Sequence, residues 1–385
     1  MNTIINNRLI CWARDRAGLS SEDLAQKLKV SLEKVLQWEK GENPITMGQA
    51  EHLAKLALIP FGVMFLDEPP EITLPIPDFR THGDGYIAEP SPELLETIND
   101  AKEKQEWYRD YLLSEEHAPL DFVGTASTKT SPGELAQKIS LILGLNGQWR
   151  KSNWEDTLAL LTEKTEEAGI LVLRNGIVKT NTHRPLDVGE FRGFVLNDDL
   201  APLVFINGKD AKSAQMFTLI HEIAHVLLGQ SALIDAEMNL SEKANRIERF
   251  CNQVAAEFLT PAQEYCQQWS EDRNINENLD VLCRYFKVSR LVCISRAFQL
   301  NFIDWPTRQK YWNQEMKDIM ARKKDGQAGG NFHDSQKFRT GRLLAQAVIS
   351  EVQSNRMLFR DAFRLLGVRS VESLQSFADV VGVVA

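Results

Sequence analysis

Within the apolar run FTLIHEIAHVLLG, Phe217 to Gly229, two imidazoles and one carboxylate interrupt an otherwise hydrophobic pattern. His221 and His225 are four residues apart, so on an α-helix they are displaced by only about 40° around the axis and about 6 Å along it. They point into the same space. Two imidazoles placed this way can share one metal, and borderline-soft zinc suits them, with three protein ligands leaving a fourth position for water. Glu222 follows the first histidine and leans toward the side of that water, where a carboxylate can take its proton and pass it to a leaving amine. A His-Glu-x-x-His pattern arises by chance on the order of 0.01 times in a chain of this length and composition, so it is a specific signal.

Such a site requires a third ligand. The stretch SEKANRIERFCNQVAAEFLTP reads as a later helix, capped at Ser241 and stopped by Pro261. On it Glu248, Asn252, Ala255 and Ala256 share one face, and the small pair lets the helix pack closely on the one bearing the histidines. Glu248 is the first candidate, Cys251 its chemical rival on nearly the same face, and Asp235 and Glu237 are nearer in sequence but fall in a loop.

The pair HEIAHVLLG and ERFCNQVAAEFLTP resembles the ImmA/IrrE family of zinc metallopeptidases, whose second motif reads Glu-x-x-Ala-Asn-x-Phe-Ala-Ala-x-Leu-Leu-Met-Pro. The resemblance implies that His221, His225 and Glu248 hold Zn2+, that Glu222 is the catalytic base, and that Asn252 supports the ligands from behind. Cys251, Val254, Phe258 and Thr260 depart from the motif, and none of them removes a ligand. The same resemblance implies a narrow endopeptidase acting on a regulatory protein such as a repressor, or working in a toxin-antitoxin-like pair. The alternative of another class is a non-proteolytic transcriptional regulator or antitoxin whose zinc domain binds a partner.

The metal helix must be held by other elements. PGELAQKISLILG and WEDTLALLTEKTEEAG are helical in period, and they lead into three strand-like runs, ILVLR, FRGFVLND and APLVFIN. Asp210 is placed to cap the metal helix and Gly229 to end it. Leu203 to Asn207 runs directly into that helix and is the expected sheet edge on which a substrate strand would add. His183 and Arg192 are candidate donors to a developing oxyanion.

The N-terminal stretch LSSEDLAQKLKVSLEKVLQWEKGENPIT resembles the helix-turn-helix of phage-repressor-like (XRE) regulators, with Ser21, Ser31 and Thr46 as caps, Gly18 and Gly41 as stops, and Val30, Val35 and Leu36 as core. Lys29 stands at the turn position where that motif carries Gly, so some left-handed strain is expected there. The resemblance implies a recognition helix starting at Ser31 that presents Leu32, Glu33, Lys34 and Gln37 to operator DNA, bound as a homodimer on two half-sites. Against this, residues 1–68 hold 8 Lys/Arg and 9 Asp/Glu, a net of −1, whereas phosphate contact demands local positive charge.

With 385 residues the chain is too long for one ordinary core. The expected order is a helix-turn-helix domain over 1–68, a linker and connecting helix over 69–130, a zincin-like domain over 131–304, and a basic linker with a helical region over 305–385. Ser91 should cap the connecting helix, and Leu282, Phe286, Val292 and Ile294 should face inward. The fold class is α+β, mostly helical, with a small sheet beside the metal helix. Residues 307–342, around the break DGQAGGN, carry 9 Lys/Arg against 4 Asp/Glu, a local net of +5 in a chain of net charge −9. The chain-wide charge argues against broad adhesion to nucleic acid. The five cysteines never form a Cys-x-x-Cys pair, and no window is apolar enough to span a bilayer. The expected setting is the reducing cytoplasm, with no membrane partner.

Overall fold

The computed structural model describes residues 5–70, 90–145, 149–151, 153–234, 246–324 and 339–382. It is mostly helical with a small mixed sheet, and it forms two compact units, one of the N-terminal helices and one running from Thr97 onward.

The smaller unit contains α1 (Asn7–Arg16), α2 (Ser21–Leu28), α3 (Leu32–Lys40) and α4 (Met47–Leu56), followed by a 3-10 turn at Phe61–Phe65. Leu24, Ala25, Val35, Trp38, Leu53 and Met64 are buried together. Lys29 takes the left-handed conformation expected of it, at φ 53°. The cap of α2 is Ser20 and not Ser21: Ser20 accepts from Asp23 N–H while the Asp23 carboxylate accepts from Ser20 N–H, a reciprocal pair that Ser21 is one residue too late to make. Leu36 is 39% exposed instead of belonging to the core. Val35 and Trp38 are three apart and share the inward face, and Leu36 stands one residue round from it.

Helix α5 (Pro92–Ser114), whose first turn belongs to the smaller unit and whose remainder belongs to the larger, is capped by Ser91, whose hydroxyl accepts from Leu94 N–H. Next come α6 (Pro132–Ile142) and α7 (Trp154–Glu167). The main sheet holds β1 (Leu171–Asn175), β4 (Gly193–Leu196), β5 (Leu203–Asn207) and β6 (Ala232–Ile234) in the order β1-β5-β4-β6. A separate hairpin joins β2 (Ile177–Val178) to β3 (Asn181–Pro185). The β5 strand is therefore not an edge: it pairs in parallel with β1 and antiparallel with β4, and both of its faces are buried. Its unbroken apolar run LVFIN already carried the mark of a strand covered on both faces.

Helix α8 (Lys212–Leu228) packs on β4, β5, α6, α7 and α9 (Arg246–Leu259), and every residue from Ala214 to Leu227 is buried. It ends at Gly229 in the left-handed conformation, φ 70°. Asp210 does not cap it. That carboxylate is paired with Arg192, and Gln215 reaches back to the carbonyls of Gly208 and Asp210 instead. Beyond α9 lie α10 (Ala262–Gln268), α11 (Ile275–Phe286), α12 (Arg290–Gln299) and α13 (Trp305–Lys324), with Leu282, Phe286, Val292 and Ile294 inside the core. The chain closes with α14 (Arg342–Gln353), α15 (Phe359–Leu366) and α16 (Val371–Val381). Gly367 and Ser370 sit at the stop and the cap assigned to them. The linker that opens the 69–130 segment, the Ser241 cap, the loop acids Asp235 and Glu237, and the break DGQAGGN fall wholly or mainly outside the described residues.

No helix among the described residues is long and apolar enough to cross a membrane.

Candidate metal centre

The site is built where α8 and α9 face each other. Helical spacing puts His221 and His225 on one side of α8, and Glu248 reaches them from the first turn of α9. His221 Nε2 lies 3.0 Å from His225 Nε2 and 3.1 Å from Glu248 Oε2, and Glu248 Oε1 lies 3.0 Å from His225 Nε2. Around a tetrahedral ion with 2.0–2.1 Å bonds, ligand atoms stand roughly 3.3–3.4 Å apart, so this triangle needs to open only slightly to hold one.

Proton bookkeeping favours a cation at the centre of that triangle. His221 Nδ1–H donates to Asn252 Oδ1 at 2.9 Å, and since the amide oxygen can only accept, the neutral ring carries its lone pair on Nε2. That lone pair meets the His225 nitrogen and the Glu248 carboxylate. Glu248 Oε1 is buried without a hydrogen bond although it stands against His225. Three electron-rich atoms turned on one another in a dry interior are relieved by a shared positive charge. Asn252 sits one helical turn beyond Glu248, and it performs the orienting role that metal-bound imidazoles require.

The electrostatics agree. Burial pushes the His225 imidazole below its ordinary range, which keeps it neutral and available as a ligand. Burial by itself would raise Glu248, but hydrogen bonds and charge from His221 and His225, which need a proton on the facing ring nitrogens where no ion stands, hold it below the ordinary carboxylate range. Glu222 is fully buried, and neither of its oxygens has a hydrogen-bond partner among the described residues. Its burial, with the charge of Glu248 nearby, raises its proton affinity well above that of a free carboxyl. A carboxylate so placed is stable beside a positive ion and costly without one. Among the described residues, Cys251 Sγ and a ring nitrogen of each histidine lie within 4.8 Å of one another. The donor set fits a borderline-soft divalent ion such as zinc.

Gly193, on β4, was not anticipated as part of this arrangement. A Cβ there would stand 2.5 Å from Thr218 Cγ2, 2.7 Å from the Phe205 carbonyl oxygen and 3.1 Å from Glu222 Oε1. The absent side chain lets α8 lie close on the sheet and brings Glu222 against the strand. The only sequence signal was a glycine inside the strand-like run FRGFVLND, a mark of close backbone approach.

The remaining candidates lie elsewhere. His183 is exposed on β3, and Arg192 is paired with Asp210. On α3, Ser31 caps the helix and accepts from Lys34 N–H, and Leu32, Glu33 and Lys34 are exposed. Gln37 is half-buried and accepts from Asn43 Nδ2 at 2.6 Å.

Comparison with known proteins adds to the geometry. Residues 340–379 match the model of a domain of unknown function, DUF8813. No curated protein matches the chain. Residues 165–297, which contain β1, the whole imidazole–carboxylate cluster and most of α12, match the family model of the IrrE N-terminal-like domain, Peptidase_M78, and this supports a metallopeptidase-like domain around the cluster.

Proposed function

We propose that the cluster is the centre of a zinc-dependent endopeptidase, with His221, His225 and Glu248 as zinc ligands, and that its substrate is a specific regulatory protein. The observation that carries this reading is the convergence of two imidazoles and a carboxylate to 3.0–3.1 Å beside a fully buried carboxylate with no hydrogen-bond partner. Zinc bound there would supply Lewis-acid polarisation of a peptide carbonyl and acidify a water. The chain's own groups do the rest. Asn252 holds His221 in the tautomer that leaves Nε2 free. Glu222, dry and unpaired, takes the proton of the attacking water and delivers it to the departing amine. A purely structural zinc site has no use for such a carboxylate.

In this reading the N-terminal unit brings the peptidase to operator DNA through Ser31, Leu32, Lys34 and Gln37 on α3. A second reading of that unit has support of its own. Leu32 and Leu36 are 37% and 39% exposed on α3 in a region of net charge −1, a surface better suited to a protein partner than to phosphate. Footprinting of the upstream region with full-length protein separates the two readings, because only DNA recognition protects specific half-sites.

The catalytic reading is tested by metal content and proteolysis together. Wild type should hold about one zinc per chain, the His221→Ala/His225→Ala double variant none, and Glu222→Gln should keep its zinc while accumulating uncleaved substrate in cells. A Glu222→Gln protein that keeps its zinc and retains full biological activity would establish the non-proteolytic regulator instead.

A further inference from the structure

We propose that Cys251 is a fourth protein donor to the metal held by His221, His225 and Glu248, so that the site rests closed and frees a position only when the sulfur is displaced. The inference depends on the metal reading above and names what occupies the remaining position.

Cys251 stands three residues after Glu248 on α9, so both project from one face toward α8. Donors at that spacing on a single helix reach a common metal in carboxylate-bridged bundle sites. The thiol is fully buried, and its sulfur and one ring nitrogen of each histidine all lie within 4.8 Å of one another. In a mixed tetrahedral site with a Zn–S bond of about 2.3 Å and Zn–N bonds of about 2.0–2.1 Å, sulfur and nitrogen stand roughly 3.6 Å apart. Reaching that separation takes a movement on the order of 1 Å, which rotation about the Cα–Cβ bond supplies.

A second, independent feature points to a ligand in this space. Both oxygens of Glu222 are buried and without a hydrogen-bond partner, so the interior around the cluster is arranged for a positive ion and not for close packing. Packing alone does not call for sulfur either: Ala255 and Ala256, one turn further along α9, keep the two helices close with methyl groups.

The chemical consequence concerns the number of open positions. Structural zinc sites are closed by four protein ligands, whereas hydrolytic ones keep three and an exchangeable position. When the sulfur binds, the S–H bond breaks, the sulfur–metal bond forms, and one proton is released to solvent. When water or a peptide carbonyl displaces it, the thiolate recovers that proton. Cys251 would then hold the site shut in the absence of substrate, and its removal should loosen the metal while exposing it.

The test uses the full-length protein loaded with zinc and, separately, with cobalt(II). Zinc-edge absorption of wild type should show one sulfur at about 2.3 Å together with nitrogen and oxygen scatterers. The cobalt form should show a thiolate-to-metal charge-transfer band, which disappears in Cys251→Ala and Cys251→Ser while metal content stays near one per chain. In chelator competition Cys251→Ala should bind zinc at least about tenfold more weakly. Acetohydroxamate, which needs free coordination positions, should bind zinc-loaded Cys251→Ala more tightly than wild type. Wild type that holds one metal with only nitrogen and oxygen scatterers would leave the three-ligand site standing and remove the fourth donor. A band that persists in Cys251→Ala would assign the sulfur to another cysteine and overturn the proposal. Wild type that retains no metal would defeat the metal reading and this inference together. The wild-type spectra decide the question even if neither variant folds.

Discussion

Replacing Gly193 by Ala perturbs the point where the metal helix meets the sheet. Non-bonded carbon atoms settle about 3.5–4.0 Å apart, so a new Cβ 2.5 Å from Thr218 Cγ2 overlaps it by roughly 1 Å. Thr218 is 3% exposed on α8, where a β-branched side chain has few rotamers with which to retreat. The second contact, 2.7 Å to the Phe205 carbonyl, is with backbone of a strand paired on both sides, and it cannot yield without disturbing the ladder. Overpacking with no room to relax costs about 1–3 kcal/mol and sometimes more, and two rigid neighbours place this change near the upper end, at about 3 kcal/mol. At about 2 °C per kcal/mol for a unit running from Thr97 to Ala385, the melting temperature should fall by about 6 °C. Gly133→Ala is the control. It lies in α6 with nothing within 4 Å of the added Cβ and no positive φ, so it should be neutral or slightly stabilising. Melting of the metal-free proteins followed by circular dichroism measures both, and zinc-loaded Gly193→Ala should also lose activity as Glu222 is pushed from its place. If Gly193→Ala melts within about 1 °C of wild type with equal zinc content, the close approach of α8 to β4 is wrong.

Asn252→Ala should weaken zinc binding about 10- to 100-fold through loss of the His221 tautomer, while Asn252→Asp, which keeps an acceptor, should retain most of it; chelator competition measures both. Glu166 Oε1 accepts from the N–H groups of Arg342 and Leu343 at 2.5 and 3.3 Å, fastening the start of α14 to α7. Glu166→Ala should cost about 1–3 kcal/mol locally and speed hydrogen exchange at the first amides of α14 by about tenfold or more, and unchanged exchange there would refute the cap. Burial, with smaller contributions from the charges of Tyr111 and Glu166, pushes the Tyr108 phenol up to about 12. A raised acid pKa stabilises the fold fully below the unfolded value near 10 and loses that contribution as pH rises toward 12. Wild type should therefore lose up to about 2 kcal/mol more than Tyr108→Phe between pH 10 and 12 in urea titrations, and parallel losses would show that the phenol is not the cause.

What the sequence determined by itself is local. The shared face of His221 and His225, the neighbouring face of Glu248 and Asn252, the stops at Gly41, Gly229 and Gly367, the strained turn at Lys29 and the caps at Ser31, Ser91 and Ser370 all depend on residues within a few positions of one another. Helical period, capping chemistry and left-handed φ operate over that range, so these features were legible. Tertiary structure decided whatever depended on which element lies next to which. The LVFIN strand could be read as a strand, yet its place between β1 and β4 follows from a parallel crossover that no local pattern encodes. Gly193 acquires its purpose only from Thr218, Phe205 and Glu222, and Asp210 leaves its capping role because Arg192 is near enough to pair with it. Leu36 lies outside the core because Val35 and Trp38 already fill the face of α3 that the neighbouring helices cover. The 3.0–3.1 Å triangle of His221, His225 and Glu248 belongs to both levels: spacing aimed the side chains, and the packing of α8 against α9 brought two distant stretches of chain to one point.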